Sequence, residues 1–288
     1  MMNKTILTPN DDLQRAFDAA VPGSRFYLES GVYRQKVLLC TPGLQIEGAG
    51  INQTTIIWDD YANKLHEDGQ EYNTFRTYTM AICADHVSMR NLSIVNDAGH
   101  PEDKGQEVAL SVLGNDFLME NCRLSSTQDT LFAGPLPSDL IARYKHFLID
   151  NLRAPGPFRQ CYTRCLIEGS FDFIFGCSEA IFTDCEIRSV YDVRPVGYVA
   201  APAHALAQTH GLTFRNCCFT CDPAVPPNSV YLARPWRDYG IAVFDHCQYG
   251  PHIAPEGFDK WENTNRDKTA RFYESPYFPE RVTWVRTF

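Results

Sequence analysis

The sequence predicts an all-β chain wound into a single-stranded parallel β-helix, with a short capping helix at its N-terminal end. Three observations carry this expectation. A strand-like apolar pattern recurs from residue 87 at irregular spacing, one amphipathic segment precedes it, and hairpin dipeptides are nearly missing.

The elements follow in order. Asp11 or Asp12 can cap a helix over 11–20, in which Leu13, Ala16, Phe17 and Ala20 share one face and which Pro22-Gly23 ends. Phe26-Tyr27-Leu28 and Val37-Leu38-Leu39 read as short strands. The recurring pattern then runs Val87, Met89, Leu92, Ile94; Phe117, Met119, Cys122, Leu124; Tyr162, Cys165, Ile167; Phe182, Cys185, Ile187; Leu212, Phe214, Cys217, Phe219; and Phe244, Cys247, Tyr249. Steps of two are strand periodicity, and the single step of three marks a corner between short strands. Leu92, Cys122, Cys165, Cys185, Cys217 and Cys247 lie 30, 43, 20, 32 and 30 residues apart, the irregular period of a solenoid with variable inserts. The five cysteines of this series are expected as an inert interior ladder. The helix over 11–20 is expected to cover the open first coil. A Pro- and Gly-rich insertion at about 133–160 accounts for the long step and belongs on a loop beside a groove. An antiparallel sandwich would call for frequent Asn-Gly or Asp-Gly turns. Asp68-Gly69 is the only Asp-Gly, and Asn-Gly does not occur.

Of the 288 residues, 44% are hydrophobic and 21% charged, enough apolar material for a sizeable core. No Ser/Gly run or charge block divides the chain, so one domain over 1–288 is expected. The net charge of -9 argues against nucleic acid as partner, and it would repel a polyanionic sugar unless the groove carries local positive charge. No stretch reaches the length of a transmembrane helix, and no membrane partner is expected. Residues 1–25 lack the pattern of an export signal, and there are 11 cysteines. A cytoplasmic location is therefore expected, or an extracellular one had a leader been trimmed. Cysteine spacings do not match zinc sites.

Gly-x-Ser-x-Gly and His-Glu-x-x-His are both absent. What remains are polar residues set in apolar, strand-like surroundings: Asp172 in Phe171-Asp172-Phe173-Ile174-Phe175-Gly176, Gln128-Asp129 ahead of Thr130-Leu131-Phe132, Gln106 ahead of Val108-Ala109-Leu110, and Arg234 in Leu232-Ala233-Arg234-Pro235-Trp236. Singly, each is more often a satisfied structural group. Their order changes the reading. Residues 106–110, 128–131, 172–176 and 232–236 resemble the pectin methylesterase patterns Gln-Ala-Val-Ala-Leu, Gln-Asp-Thr-Leu, Asp-Phe-Ile-Phe-Gly and Leu-Gly-Arg-Pro-Trp. Gly31-Val32-Tyr33, Thr74-Phe75, Pro255-Glu256-Gly257-Phe258 with Trp261, and Arg281-Val282-Thr283-Trp284 look like further family segments, so the resemblance covers nearly the whole chain. Gln35, Glu107, Ala233 and Phe258 depart from the pattern, where the family has Glu, Ala, Gly and Trp.

The resemblance implies a right-handed β-helix that hydrolyses galacturonate methyl esters without metal or cofactor. It implies Asp172 as nucleophile, held ionised and at low pKa by Arg234. It implies Asp129 as general acid and then base, with a raised pKa, and Gln106 and Gln128 as oxyanion donors. Thr74, Phe171, Phe175, Trp236 and Phe258 are expected to contact substrate, Phe258 standing where the family stacks a Trp on sugar. The expected partner is methylated polygalacturonate or oligogalacturonide, bound by a monomer; an intracellular enzyme would meet only the short form. A Ca²⁺-dependent lyase would require an acidic cluster that the sequence lacks. A glycosidase also uses paired carboxylates, and here the motif context discriminates. A non-catalytic glycan-binding β-helix would fit the loss of an Asp or the Arg, and all are present. An esterase for another acyl or alkyl group is a further reading that these residues allow.

Overall fold

The computed structural model describes residues 4–99, 103–153, 156 and 158–288. Among these, short strands line up in three parallel sheets of eleven, eight and seven strands that run the length of a right-handed parallel β-helix. A complete coil contributes one strand to each sheet, and the turns at the two ends add further strands to the eleven-stranded one. One such coil is Phe117–Glu120, Arg123–Ser125 and Leu131–Ala133.

The corner between the first two strands of a coil is built by one residue. Asn91, Asn121, Arg164, Asp184, Asn216 and His246 all have left-handed backbone, with φ from 49° to 57°. Each stands immediately before a member of the series Leu92, Cys122, Cys165, Cys185, Cys217 and Cys247, and this is the step of three in the sequence. Asn and Asp tolerate the left-handed region best, which accounts for four of the six. The corner N–H groups donate to the next coil, as from Asn121 to the Thr163 carbonyl at 3.0 Å and from Asn216 to the Asp245 carbonyl at 2.9 Å. The chain therefore turns sharply without orphaning a buried donor.

The interior is a set of stacked columns. Tyr162, Phe182, Phe214 and Phe244 are in register, with successive ring centroids 4.7, 4.8 and 4.9 Å apart and nearly parallel planes. Beside them the five cysteines form the expected ladder. All are buried free thiols, and burial or a neighbouring thiol pushes the Cys122, Cys185 and Cys217 pKa values up to about 12.

The N-terminal cap is shorter than expected. Helix α1 spans Leu13–Asp18, with Asp12 accepting the Arg15 N–H at 3.0 Å, and it buries Leu13 and Phe17. Its Gln14 side chain bonds both backbone groups of Leu38, donating to the carbonyl and accepting the N–H at 2.9 and 2.8 Å. The open edge of the seven-stranded sheet is thereby covered. Gln35 accepts the Leu13 N–H and donates to the Asp11 carbonyl, a task for which its amide carries both donor and acceptor. The strand Lys4–Leu7, ahead of the helix, was not legible as a repeat.

The insertion is not a plain loop. It contains helix α2, Ser138–Tyr144, and a 3-10 turn at Asp150–Arg153. Leu140, Leu148 and Leu152 bury against Phe75, Phe132 and Phe175 on the outer face of the seven-stranded sheet. Residues 154, 155 and 157 of the expected insertion lie outside the described residues.

Candidate active site

A groove of about 500 Å³ runs over that same outer face. Gln106, Gln128, Asp129, Asp172 and Arg234 line it, together with Thr74, Phe171, Phe175 and Trp236. Nine of the ten residues singled out in the sequence thus converge, although they are spread over six neighbouring strands of this sheet, from Met80–Ile82, which Thr74 precedes, to Val230–Ala233, which Trp236 follows.

Both aspartates stand in left-handed backbone, Asp129 at φ 63° and Asp172 at φ 47°. Such conformations cost about 1–3 kcal/mol each and persist where the surroundings impose them. For Asp172 the cause is visible. The strand Phe171–Gly176 slips register against Gly197–Pro202 between Phe171 and Ile174, a bulge that turns the Asp172 side chain out of the coil. Asp129 sits one coil earlier, where its N–H donates to the Phe171 carbonyl at 3.1 Å.

Arg234 follows the strand Val230–Ala233 and forks Asp172, Nε to Oδ1 at 2.9 Å and a terminal nitrogen to Oδ2 at 2.7 Å. Its guanidinium also lies 3.9 Å from the Tyr198 ring centroid, 4.0 Å from Trp261 and 4.6 Å from Phe171. These rings fix the plane of the fork.

Burial raises both aspartate pKa values. Asp129 rises well above the usual range, first from burial and then from the Asp172 charge. Asp172 is also raised, again by burial, with Arg234 and Arg194 pulling it back. The low pKa expected for Asp172 is thus corrected: desolvation of a largely buried carboxyl outweighs one bidentate partner. The division of the pair survives as an ordering, with Asp172 the more readily ionised.

Arg194 joins the site without a motif to announce it. It donates to Gln128 Oε1 at 2.8 Å and forks Asp192 at 3.0 and 2.5 Å. Burial works against the Asp192 charge, yet bonds from Arg194 and the Ser170 hydroxyl lower its pKa. Because the Gln128 amide oxygen is engaged by Arg194, its NH₂ is the donating end, and one N–H bonds toward Asp129. Arg194 also covers the Phe171 ring at 4.0 Å, so cations occupy much of a ring expected to stack on sugar.

Two aromatic assignments change. Phe258 is not in the groove. It is 2% exposed and packs on Phe244, Phe272 and Trp284 in the interior of the coil. The groove position belongs to Trp261, whose own backbone is left-handed at φ 71° and whose N–H donates to Asp259 Oδ1 at 2.7 Å. Phe175 is also only 2% exposed; its ring supports Trp236 edge-on at 5.7 Å. Trp236 is half-buried and faces the groove, with Arg237 4.7 Å from its ring centroid.

Coil and groove together define a right-handed parallel β-helix protein with an arginine-braced pair of buried carboxyls on one sheet. The sequence model of the Pectinesterase family matches residues 5–136 and 150–278, and the chain belongs to that family. Pectinesterase QRT1 of Arabidopsis thaliana is 30% identical over 261 residues, covering 87% of this chain. The chain spans 60% of that relative's length. The structure is similar to a pectin methylesterase from Yersinia enterocolitica, at 24% identity and TM-score 0.81, covering 96% of this chain and 94% of that one. It is also similar to a pectin methylesterase solved in complex with a hexasaccharide, at 25% identity and TM-score 0.76, with 94% and 85% covered.

Proposed function

We propose that the protein hydrolyses methyl esters of galacturonate units and releases methanol, with methylated oligogalacturonide or pectin as substrate. The observation that carries this reading is the forked Arg234–Asp172 pair beside a second, more strongly protonated carboxyl, Asp129, in a groove lined by Trp236 and Trp261. Membership of the family and likeness to a relative bound to a hexasaccharide support it.

Asp172, ionised against Arg234, attacks the C6 carbonyl carbon, and the carbonyl oxygen becomes the oxyanion. Gln106 and the second N–H of the Gln128 amide donate to that oxygen, each such donor supplying about 10²–10³ in rate. Collapse of the tetrahedral intermediate expels methoxide, which takes the Asp129 proton and leaves as methanol. The acyl group is then held as an anhydride on Asp172. Asp129, now a carboxylate, removes a proton from water, which attacks the same carbonyl carbon and frees Asp172. The bound proton returns to Asp129, so the cycle closes.

Methanol release from highly methylated pectin and from methylated oligogalacturonides tests this, with wild type beside Asp172→Asn. Release by wild type and near-complete loss in a folded variant is the expected result. No release by wild type from either substrate overturns the esterase; equal release by both proteins overturns the nucleophile.

A further inference from the structure

At one edge of the seven-stranded sheet the strands Val37–Leu39 and Met80–Ile82 pair in parallel, with Leu39 opposite Ile82 and the Cys83 N–H donating to the Leu39 carbonyl at 2.8 Å. One residue beyond each strand stand Cys40 and Cys83, so this register sets the two cysteines opposite each other on adjoining coils. We infer that Cys40 and Cys83 form a modification site, a thiol pair that a small-molecule disulfide of the oxidised glutathione class converts into a Cys40–Cys83 disulfide.

Both thiols point the same way. Leu39 and Ile82 are buried inside the coil, whereas Leu38, Ala81 and Cys83 pack in the outer cluster beneath the insertion. Cys40 continues the outward alternation of Leu38, and its sulfur accepts from Asn151 Nδ2 of the 3-10 turn at 3.0 Å. Neighbouring strands lie about 4.7–4.9 Å apart, within the Cα separation of about 4.4–6.8 Å that a disulfide bridges. Access singles this pair out. All eleven cysteines are free, and Cys40 is the exposed one. Cys165, Cys185, Cys217 and Cys247 also stack coil on coil, but all four are buried in the interior, where a reagent does not reach. Cys161 has Leu118 and Ile181 opposite it, Cys218 has Glu186 and Gln248, and Cys221 has Ser189, so these half-buried thiols face no thiol in register.

Exposure also sets the order of events. Burial pushes the Cys83 thiol up to about 12, so Cys83 is not the first to react. Burial raises the Cys40 thiol as well, but the Asn151 amide donates to its sulfur and favours the thiolate. The Cys40 thiolate bonds to one sulfur of the reagent, the reagent's S–S bond breaks, and one thiol leaves with the Cys40 proton. Cys83 then bonds to Cys40 Sγ and expels the second thiol, which takes the Cys83 proton. Two electrons and two protons pass from the pair to the reagent. The product ties the edge strand to its neighbour and closes a loop over residues 41–82, which restricts the unfolded chain.

Incubation of the reduced, folded protein with oxidised glutathione tests the pair, followed by alkylation in denaturant and mass mapping of peptides. The expected result is two fewer alkylated thiols per chain, a peptide cross-linked through Cys40 and Cys83, and a rise in Tm of several degrees that dithiothreitol reverses. Cys83→Ala is expected to stop at a mixed disulfide of Cys40 with glutathione, and Cys40→Ser to leave Cys83 unmodified. A stable mixed disulfide on Cys40 of wild type with Cys83 still free overturns the pair. A cross-link between other cysteines, or no reaction of the folded protein, overturns it equally.

Discussion

Arg194 donates to Gln128 Oε1 across 2.8 Å, and this one bond decides which end of the Gln128 amide faces the groove. An amide free to flip would present its oxygen to a developing oxyanion for part of the time. Arg194→Met is expected to lower kcat about 10–100-fold, less than the outright loss of an oxyanion donor, with a smaller change in KM. Arg194→Lys, which keeps the charge without the fork, falls between. Steady-state methanol release measures both; a variant that changes KM alone would assign Arg194 to binding instead.

The pH profile follows from the two aspartates. The proposed mechanism needs Asp172 ionised and Asp129 protonated, so kcat/KM is expected to be bell-shaped, with limbs that belong to the pair. Arg194 lowers the pKa of both groups. Its removal therefore raises both, and the two limbs in Arg194→Met are expected at higher pH than in wild type. A loss of activity with unmoved limbs would count against this coupling.

Glu107 replaces the small residue of the family pattern and is fully buried, its N–H donating to the Gln128 carbonyl at 3.0 Å. Neither carboxyl oxygen makes a hydrogen bond of good geometry among the described residues, although Thr127 and the charges of Lys104 and Arg194 partly compensate. Burial raises its pKa from 4.5 to about 8. Between those values the folded state holds a proton that the unfolded chain has released. Stability from this group is thus complete below pH 4.5 and is lost as pH rises to about 8, by at most about 5 kcal/mol. Glu107→Gln is expected to match wild type in Tm near pH 4.5 and to exceed it increasingly toward pH 8. Parallel Tm curves would refute a protonated Glu107.

Phe258 and Trp261 separate core from groove. Phe258→Ala is expected to cost about 3–5 kcal/mol of stability by opening a cavity among Phe244, Phe272 and Trp284, with kcat/KM nearly kept at a temperature where it stays folded. Trp261→Ala is expected to raise KM several-fold with a smaller effect on Tm. Denaturant melts and kinetics on the same preparations decide between the two roles.

The regular parts of the molecule were legible because they obey a period. Leu92 and the five cysteines could be aligned from the sequence alone, since each coil repeats the same in-out alternation around the same left-handed corner. The segments around Gln106, Asp129, Asp172 and Arg234 were legible because polar residues interrupt apolar strands at family spacing. Phe258 and Trp261 were not separable: they stand three residues apart in an irregular segment with no alternation to read, and it is burial in the folded chain that puts Phe258 in the coil and Trp261 at the groove. Arg194 lies in an irregular segment with no alternation to read, and its partner Gln128 is 66 residues away. The pKa of Asp172 depends on how completely the carboxyl is enclosed, which no pattern of residue types records.

Neighbouring strands in this molecule are joined through their main chains, and Ala133 meets Gly176 in register although 43 residues separate them. A tether that leaves the stack and returns to it alters nothing in that pairing. The spool can therefore stay fixed while its rim is rewritten, and the stretch that the family match skips is where this chain has rewritten it.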